Sequence, residues 1–267
     1  MKPNRIAVFL LIALLILFVI FQGLKLYLFA DDVPLVPSLT QETGAQSVML
    51  VFAHPDDESY TTGLLMDAEK EGIESALLTF TPGDAGEQQP QVCRQQFLGE
   101  IRKAEVLKSG FLLGVDYQKV FEFGDGTLSQ LNIDTLIDMV QSELIRFKPD
   151  LVVTFWPESG MTMHNDHRTI GKATQLAFQK YREISDSKNV QIAYTIMPGK
   201  VVSLLGHDAM NELQPKATFS VKASARVKTR LWKIHASQQQ FVKNYTGLPT
   251  WLLYRLLNRE YYYLNRQ

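Results

Sequence analysis

The 267-residue sequence lacks several features that mark particular protein classes. It contains one cysteine, Cys93, so an internal disulfide and a metal site built from cysteines alone are both excluded. The formal net charge is −1, which provides no basic excess for a nucleic-acid partner. The sequence also shows no internal repeat and no low-complexity tract. Any metal site in this chain must therefore be built from histidine and carboxylate side chains.

A long apolar run is found at the N-terminus. It extends without interruption from Ile6 to Phe21 and continues less regularly to Ala30. A membrane-spanning helix needs about 20 apolar residues, so residues 1–30 are predicted to form a transmembrane anchor. The alternative is a signal sequence cleaved after Ala30, although Leu28 fits the small-residue pattern of such a site poorly.

Basic residues before the apolar run predict its orientation. Lys2 and Arg5 favour a cytoplasmic N-terminus, although Lys25 weakens the charge asymmetry. We therefore expect a single-pass membrane protein whose catalytic domain lies on the non-cytoplasmic side, or a secreted protein if the segment is cleaved.

Beyond the apolar run, residues 31–46 are predicted to be a linker and residues 47–267 one folded domain. Apolar β-type runs alternate there with helical patterns. Strands are predicted at Val48–Ala53, Ser75–Phe80, Val120–Phe123, Leu151–Phe155 and Val190–Met197, and helices at Thr61–Glu71, Gln95–Lys108, Ile133–Phe147 and Thr169–Tyr181. This alternation predicts an α/β fold with a doubly wound, mostly parallel, Rossmann-like sheet.

Polar or glycine-rich segments follow four of the predicted strands. They are His54–Glu58, Pro82–Glu87, Gly124–Gly126 and Trp156–His167. Sheets of this type place their ligand crevice at the carboxyl ends of the strands. The four segments are therefore expected to converge on one rim.

Two of these segments carry the chemistry. The first, His54–Glu58, places one histidine and three acids within five residues, and a divalent cation would compensate that charge. The second, His164-Asn165-Asp166-His167, adds two imidazoles and a carboxylate. Catalytic zinc usually has three such ligands and an open position for water. Helix capping would account for the acids but not for the histidines.

Several assignments satisfy this chemistry. His54, one of Asp56 and Asp57, and one of His164 and His167 would hold the metal. The remaining aspartate could take the proton from the attacking water. The spare histidine could stabilise the oxyanion or protonate the departing amine.

The two segments together resemble the PIG-L/LmbE family of metal-dependent deacetylases. The resemblance covers roughly residues 47–240 and implies the doubly wound fold. It implies zinc, with iron(II) as an alternative. The roles that it implies are metal ligands at His54, Asp57 and His167, a general base at Asp56, and an oxyanion-stabilising or acid group at His164 with Asp166 behind it. Asn165 replaces the proline usual in the family and is not expected to bind the metal.

Further segments extend the resemblance. Thr81–Glu87 is similar to a glycine-rich loop of the family. The residues that it implies for substrate binding are Arg102, Glu105, Asp125, His235 and Gln238. His207 matches nothing and is expected at the surface. The aromatic and basic stretch Pro249–Tyr263 is compatible with a helix at a membrane interface or with one packed on the domain itself.

The resemblance implies hydrolysis of the N-acetyl group of an N-acetylglucosamine-type amino sugar. The predicted anchor favours a lipid-linked or polymeric envelope substrate. Two alternatives stay open: a metal-dependent hydrolase of another amide or ester, and a membrane-tethered carbohydrate-binding protein without turnover. The second is disfavoured because a chemically competent residue occupies every proposed catalytic position.

Overall fold

The computed structural model describes residues 5–28, 33–184 and 190–265. Lys2 and Ala30, with its expected cleavage site, lie outside these ranges. Within them the strands are β1 (Ser47–Phe52), β2 (Glu74–Thr79), β3 (Tyr117–Val120), β4 (Leu151–Phe155), β5 (Gln191–Ile196), β6 (Phe219–Lys222) and β7 (Arg259–Asn265). The helices are α1 (Arg5–Leu28), α2 (Leu39–Thr43), α3 (Thr62–Glu71), α4 (Leu98–Leu112), α5 (Ile133–Phe147), α6 (Asn165–Ile184), α7 (Gly199–Leu204), α8 (Asp208–Leu213), α9 (Ala225–Ile234), α10 (Phe241–Thr246) and α11 (Thr250–Leu256).

The strands form one mixed sheet in the order β3-β2-β1-β4-β5-β7-β6. The first five in this order are mutually parallel, whereas β7 is antiparallel to both β5 and β6. Right-handed crossovers place α3 and α4 on one face of the sheet and α5 and α6 on the other. The predicted doubly wound, mostly parallel α/β sheet is therefore confirmed.

Burial on both faces explains why the inner strands were recognisable. All residues of β4, and all of β1 except Ser47, are buried, so both strands appear in the sequence as unbroken apolar runs. The prediction for β3 was displaced toward its carboxyl end, because the observed strand Tyr117–Val120 is half-buried and polar. The apolar residues Phe121 and Phe123 follow the strand and pack on the ring of Phe80.

Two segments differ from their expected conformation. The predicted linker contains the short helix α2, in which Leu39 is fully buried and Thr40 donates a hydrogen bond to Glu71 at 2.5 Å. The stretch Pro249–Tyr263 is helical only in α11, and its three consecutive tyrosines, Tyr261 to Tyr263, belong to β7, inside the sheet.

The apolar N-terminal run forms α1, a helix of 24 residues whose most apolar window has a mean hydropathy of 3.0 and is 0% buried. By length and composition it could cross a membrane, and a signal sequence would have the same properties. It contacts α7 and α11, and the ring of Tyr27 near its carboxyl-terminal end lies 5.1 Å from the Lys200 ammonium of α7.

A buried ion pair connects β7 to the start of α3. The Glu260 carboxylate accepts hydrogen bonds from the Thr62 hydroxyl at 2.8 Å and the Gly63 N–H at 2.9 Å. The Lys228 ammonium lies 2.9 Å from the same carboxylate, and both charged side chains are buried. Glu260 thus joins β7, α9 and the helix that follows the first histidine-containing segment.

We expect Glu260→Gln to destabilise the protein by about 3–5 kcal/mol, because the Lys228 charge would stay buried without its partner. The measurement is guanidinium unfolding of the full chain in detergent. The control is Glu122→Gln, which breaks a more exposed pair with Lys103 and should cost less than about 1 kcal/mol. Equal losses in the two variants would contradict this role for Glu260.

Candidate metal centre

The segment after β1 folds back on itself. Asp57 opens a short 3-10 helix, Asp57–Thr61, and its carboxylate accepts the backbone N–H groups of Ala53 at 3.1 Å and His54 at 2.8 Å. Asp56 has φ +96°, a left-handed conformation that costs energy for a residue other than glycine. This turn directs the two neighbouring aspartates toward different partners.

Three side chains from two segments converge at this turn. His54 Nδ1 lies 3.0 Å from His167 Nε2, which is in turn 3.2 Å from Asp57 Oδ1. His54 Nδ1 is also 3.7 Å from Asp57 Oδ2. His167 lies in the first turn of α6, which begins at Asn165 rather than at the predicted Thr169. Hence α6 itself presents His167 to the end of β1.

The remaining imidazole nitrogens identify the tautomers. His167 Nδ1 is 3.0 Å from the Gly160 carbonyl, so this nitrogen donates a proton and Nε2 carries the lone pair. His54 Nε2 is 3.0 Å from Asp125 Oδ1 and 3.3 Å from Asp166 Oδ2, so in the neutral imidazole, the form that binds a metal, Nε2 carries the proton and Nδ1 the lone pair. Two lone pairs thus face each other beside a carboxylate, an arrangement that a cation would stabilise. The donor set fits a divalent metal.

The charge around His54 supports the same conclusion. The acidic cluster consists of Asp56, Asp57, Glu58, Asp125 and Asp166. Burial is the largest single effect and lowers the pKa of His54, but the hydrogen bonds to Asp125 and Asp166 and the charges of Asp57 and Asp125 together raise it to about 10. The surroundings of this imidazole therefore favour positive charge, which a bound cation would also supply.

Asp56 occupies the open side of the turn, where its side chain is 20% exposed. Its backbone N–H donates to Glu58 Oε2 at 3.0 Å, and its carboxylate accepts from Arg102 Nη2 at 3.1 Å. Burial and the neighbouring Asp57 raise the pKa of Asp56 to about 6, against the opposing effect of Arg102. A carboxylate with such a pKa can accept a proton near neutral pH.

Arg102 is buried and contacts the turn rather than an open crevice. Its guanidinium donates to the Pro55 carbonyl at 2.7 Å and to the Gly83 carbonyl at 3.0 Å. A Cβ atom on Gly83 or Gly86 would lie 2.4 or 2.5 Å from Arg102 Nη1, so the glycines of this loop leave room for the guanidinium. Arg102, which the sequence predicted as a substrate contact, thus supports Asp56.

Three other predicted substrate contacts also lie behind the turn. His235 is fully buried, with Nε2 2.5 Å from Glu58 Oε1. Glu105 accepts the Ser237 N–H at 2.9 Å, and Gln238 donates to the Glu87 carbonyl at 2.7 Å. All three therefore contact protein groups, and their role in substrate binding stays a prediction.

Asp125 and Asp166 hold His54, whereas the resemblance implied a sugar contact and a partner for His164. Asp166 is fully buried, and its carboxylate accepts the N–H groups of Gly126 at 2.7 Å and Leu128 at 3.0 Å. Its contact with His164 is through the backbone, because the Asp166 N–H donates to His164 Nδ1 at 3.2 Å.

His164 itself is exposed, and its ring stands edge-on to that of His54 with 4.7 Å between the centroids. Its ligand nitrogen also lies within 4.8 Å of those of His54 and His167. The structure therefore brings all six predicted catalytic and ligand residues to one place. The division of roles among them stays a prediction.

Three residues of the site region were not assigned a role from the sequence. Glu58 was noted only as one of the acids, yet it accepts hydrogen bonds from the Asp56 N–H and the Ser109 hydroxyl. The Ser237 hydroxyl donates to Glu105 at 2.6 Å. The two serines gave no sequence signal, whereas the position of Glu58 beside two aspartates was a usable one.

Comparisons with known proteins identify related sequences and folds. Residues 49–178 match the family described as PIG-L, GlcNAc-PI de-N-acetylase. Two relatives are named "Probable N-acetyl-alpha-D-glucosaminyl L-malate deacetylase 2". The Bacillus cereus protein is 29% identical over 139 residues, covering 50% of this chain and 61% of the relative. The Bacillus subtilis protein is 24% identical over 198 residues, covering 73% and 84%. The chain thus spans less than two thirds of the first relative.

Solved structures share the fold at low sequence identity. GalB, the 4-carboxy-2-hydroxymuconate hydratase from Pseudomonas putida KT2440, has a TM-score of 0.61 and 15% identity, with 83% of this chain and 96% of GalB covered. The N,N'-diacetylchitobiose deacetylase from Pyrococcus horikoshii has a TM-score of 0.51 and 17% identity, with 85% and 86% covered. These likenesses establish the fold. Residues 49–178, which contain both histidine-bearing segments, are a PIG-L family domain.

Proposed function

We propose that the protein is a metal-dependent hydrolase that removes the N-acetyl group from an N-acetylglucosamine-type amino sugar. The observation that carries this proposal is the pair of facing lone pairs on His54 Nδ1 and His167 Nε2 beside Asp57, with Asp56 on the open side. The deacetylase names of the two Bacillus relatives support the reaction class. The fold alone does not decide it, because the hydratase GalB shares that fold.

His54, Asp57 and His167 are assigned as the ligands. A divalent ion bound there would lower the pKa of a water molecule and polarise the amide carbonyl. Two imidazoles and one carboxylate suit zinc, and iron(II) is the alternative. Asp125 and Asp166 hold the His54 ring by its other nitrogen, as carboxylates commonly do for ligating histidines.

Asp56 is assigned as the general base. The Arg102 guanidinium and the Glu58 carboxylate fix its side chain and its N–H, respectively. This support holds the strained turn in place before substrate binds. The Asp56 carboxylate can then accept the proton of the attacking water and pass it to the departing amine.

His164 is assigned the role of stabilising the oxyanion or protonating the leaving amine. Because its Nδ1 accepts the Asp166 N–H, its proton resides on Nε2. The exposed ring can therefore donate a hydrogen bond to the tetrahedral oxyanion. Asp166 thus has a positioning role toward both His54 and His164.

The proposal includes a membrane location. The length and apolarity of α1 support a single-pass anchor, with the catalytic domain on the non-cytoplasmic side. An anchored deacetylase suits an amino sugar carried by a lipid or an envelope polymer. A folded domain spanning residues 47–267 is part of the same proposal.

Metal binding tests the ligand assignment. We expect the full chain in detergent to bind zinc, and His167→Ala to abolish binding because a ligand is lost. Asp166→Asn should weaken affinity by about 10- to 100-fold, because His54 loses a carboxylate partner. Competition with a zinc indicator dye measures both affinities, and His207→Ala is the control. Wild-type affinity in His167→Ala would refute the ligand set.

Acetate release tests the reaction. The full chain, freed of metal by chelation and then resupplied, should release acetate from an N-acetylglucosaminyl phospholipid only after the metal returns. Asp56→Asn should lower kcat by about 10²- to 10⁴-fold without loss of zinc, because asparagine tolerates the left-handed backbone but cannot act as the base. The exposed Asp138→Asn is the matched control. Zinc binding without acetate from any N-acetylated amino sugar would instead indicate another amide, an ester or a binding role.

A further inference from the structure

The late part of the chain returns to the edge of the sheet that carries His54. Strand β7 runs antiparallel to β5, and Tyr261 near its start pairs with Ile196 at the end of β5. Helix α7 follows β5, and α11 precedes β7. Both helices therefore lie at the carboxyl edge of the parallel strands, where the acidic cluster is located.

The membrane helix reaches the protein at this same edge. Helix α1 contacts both α7 and α11, and Phe21 and Lys25 in its second half line a cavity together with Arg255 of α11. The Lys200 ammonium of α7 lies 5.1 Å from the ring centroid of Tyr27 in α1. A bilayer crossed by α1 must therefore begin close to α7 and α11.

Side-chain contacts connect α10 and α11 to the acidic cluster. The Trp232 indole N–H donates to the Tyr254 hydroxyl of α11 at 2.5 Å, and the Trp232 ring lies 6.3 Å from that of Phe241 in α10. The same ring lies 6.4 Å from that of His235, whose Nε2 contacts the Glu58 carboxylate. The surface formed by α10 and α11 therefore adjoins the carboxyl edge of the parallel strands, which is called the catalytic edge.

This surface exposes large apolar side chains. Trp251 is 50% exposed, Tyr245 52% and Leu204 68%, and Phe241 is also exposed. These four residues of α7, α10 and α11 are called the docking face. Tryptophan and tyrosine are enriched where proteins meet lipid head groups, since their rings are apolar and their tips polar.

Basic residues adjoin the docking face. A cavity of about 660 Å³ opens between α1 and the domain, and Lys25, Lys222 and Arg255 contribute to its lining. The Arg255 guanidinium lies 5.4 Å from the ring centroid of Trp251. Basic side chains at this depth attract the phosphates of anionic lipids.

We propose that the docking face lies in the head-group layer of the bilayer crossed by α1, with anionic phospholipid phosphates at Lys222 and Arg255. The catalytic edge then faces the membrane. This inference rests on the proposed membrane span and on the proposed deacetylation. It adds the direction from which substrate arrives.

An environment-sensitive fluorophore tests the docking face without measuring activity. Trp251→Cys in a Cys93→Ser background would carry the label in the full chain, reconstituted in lipid nanodiscs. The matched control is Phe111→Cys. Phe111 is 84% exposed and lies in the last turn of α4, at the end of that helix that is remote from the catalytic edge. Relative to the free dye in water, the emission of the label at position 251 should be shifted to the blue. The emission of the label at position 111 should not be shifted.

The lipid composition tests the charge. The blue shift at 251 should be larger in phosphatidylglycerol nanodiscs than in phosphatidylcholine, and Lys222→Glu with Arg255→Glu should remove that difference. Zinc binding by each labelled variant verifies its fold. Equal emission at 251 and 111, or failure of the chain to enter nanodiscs, would overturn the proposal. Neither result depends on acetate release, so failure of the deacetylase assignment is distinguishable.

Discussion

The crowding of carboxylates around one buried histidine is the constraint on which the rest of this structure depends. Asp125 and Asp166 hold one nitrogen of His54, and Asp57 lies on its other side. Burying so much like charge is unfavourable unless cations and N–H groups compensate it. The backbone supplies part of this compensation, Arg102 supplies another part, and a divalent ion suits the remaining gap between the two imidazoles.

The supporting residues satisfy that constraint through backbone geometry. The left-handed Asp56 turn is held by Glu58, which His235 contacts from behind. The glycine-rich loop leaves room for the Arg102 guanidinium. Glu58, Arg102 and His235 are buried, and each supports the more exposed Asp56 directly or through another residue. Buried polar residues behind the site therefore hold the more exposed residues of the site in position before any substrate binds.

Sequence patterns predicted those parts of the protein in which burial determines residue type. Strand β4 and helix α5 were predicted with the bounds that the structure shows, because their apolar periodicity reflects burial. The convergence of His54 and His167 followed from the strand-end rule. The inward orientation of Glu105 and Gln238 could not be predicted, since a polar residue type does not reveal which way its side chain faces. Short elements after β5, such as α7, α8 and β6, were not predicted because four to six residues are too few to show a hydrophobic periodicity.

The mixed sheet has an evolutionary consequence. The parallel half, with β1 to β4 and α6, contains the proposed metal ligands, whereas α7, α10 and α11 belong to the later, antiparallel half. Buried contacts such as Glu58–His235 and Glu260–Thr62 join the two halves. Substitution of these residues would leave a buried polar group without its partner. The outward positions of the later half carry no such restriction. Substitutions at those positions could therefore change what this outer surface binds while the residues of the site stay the same.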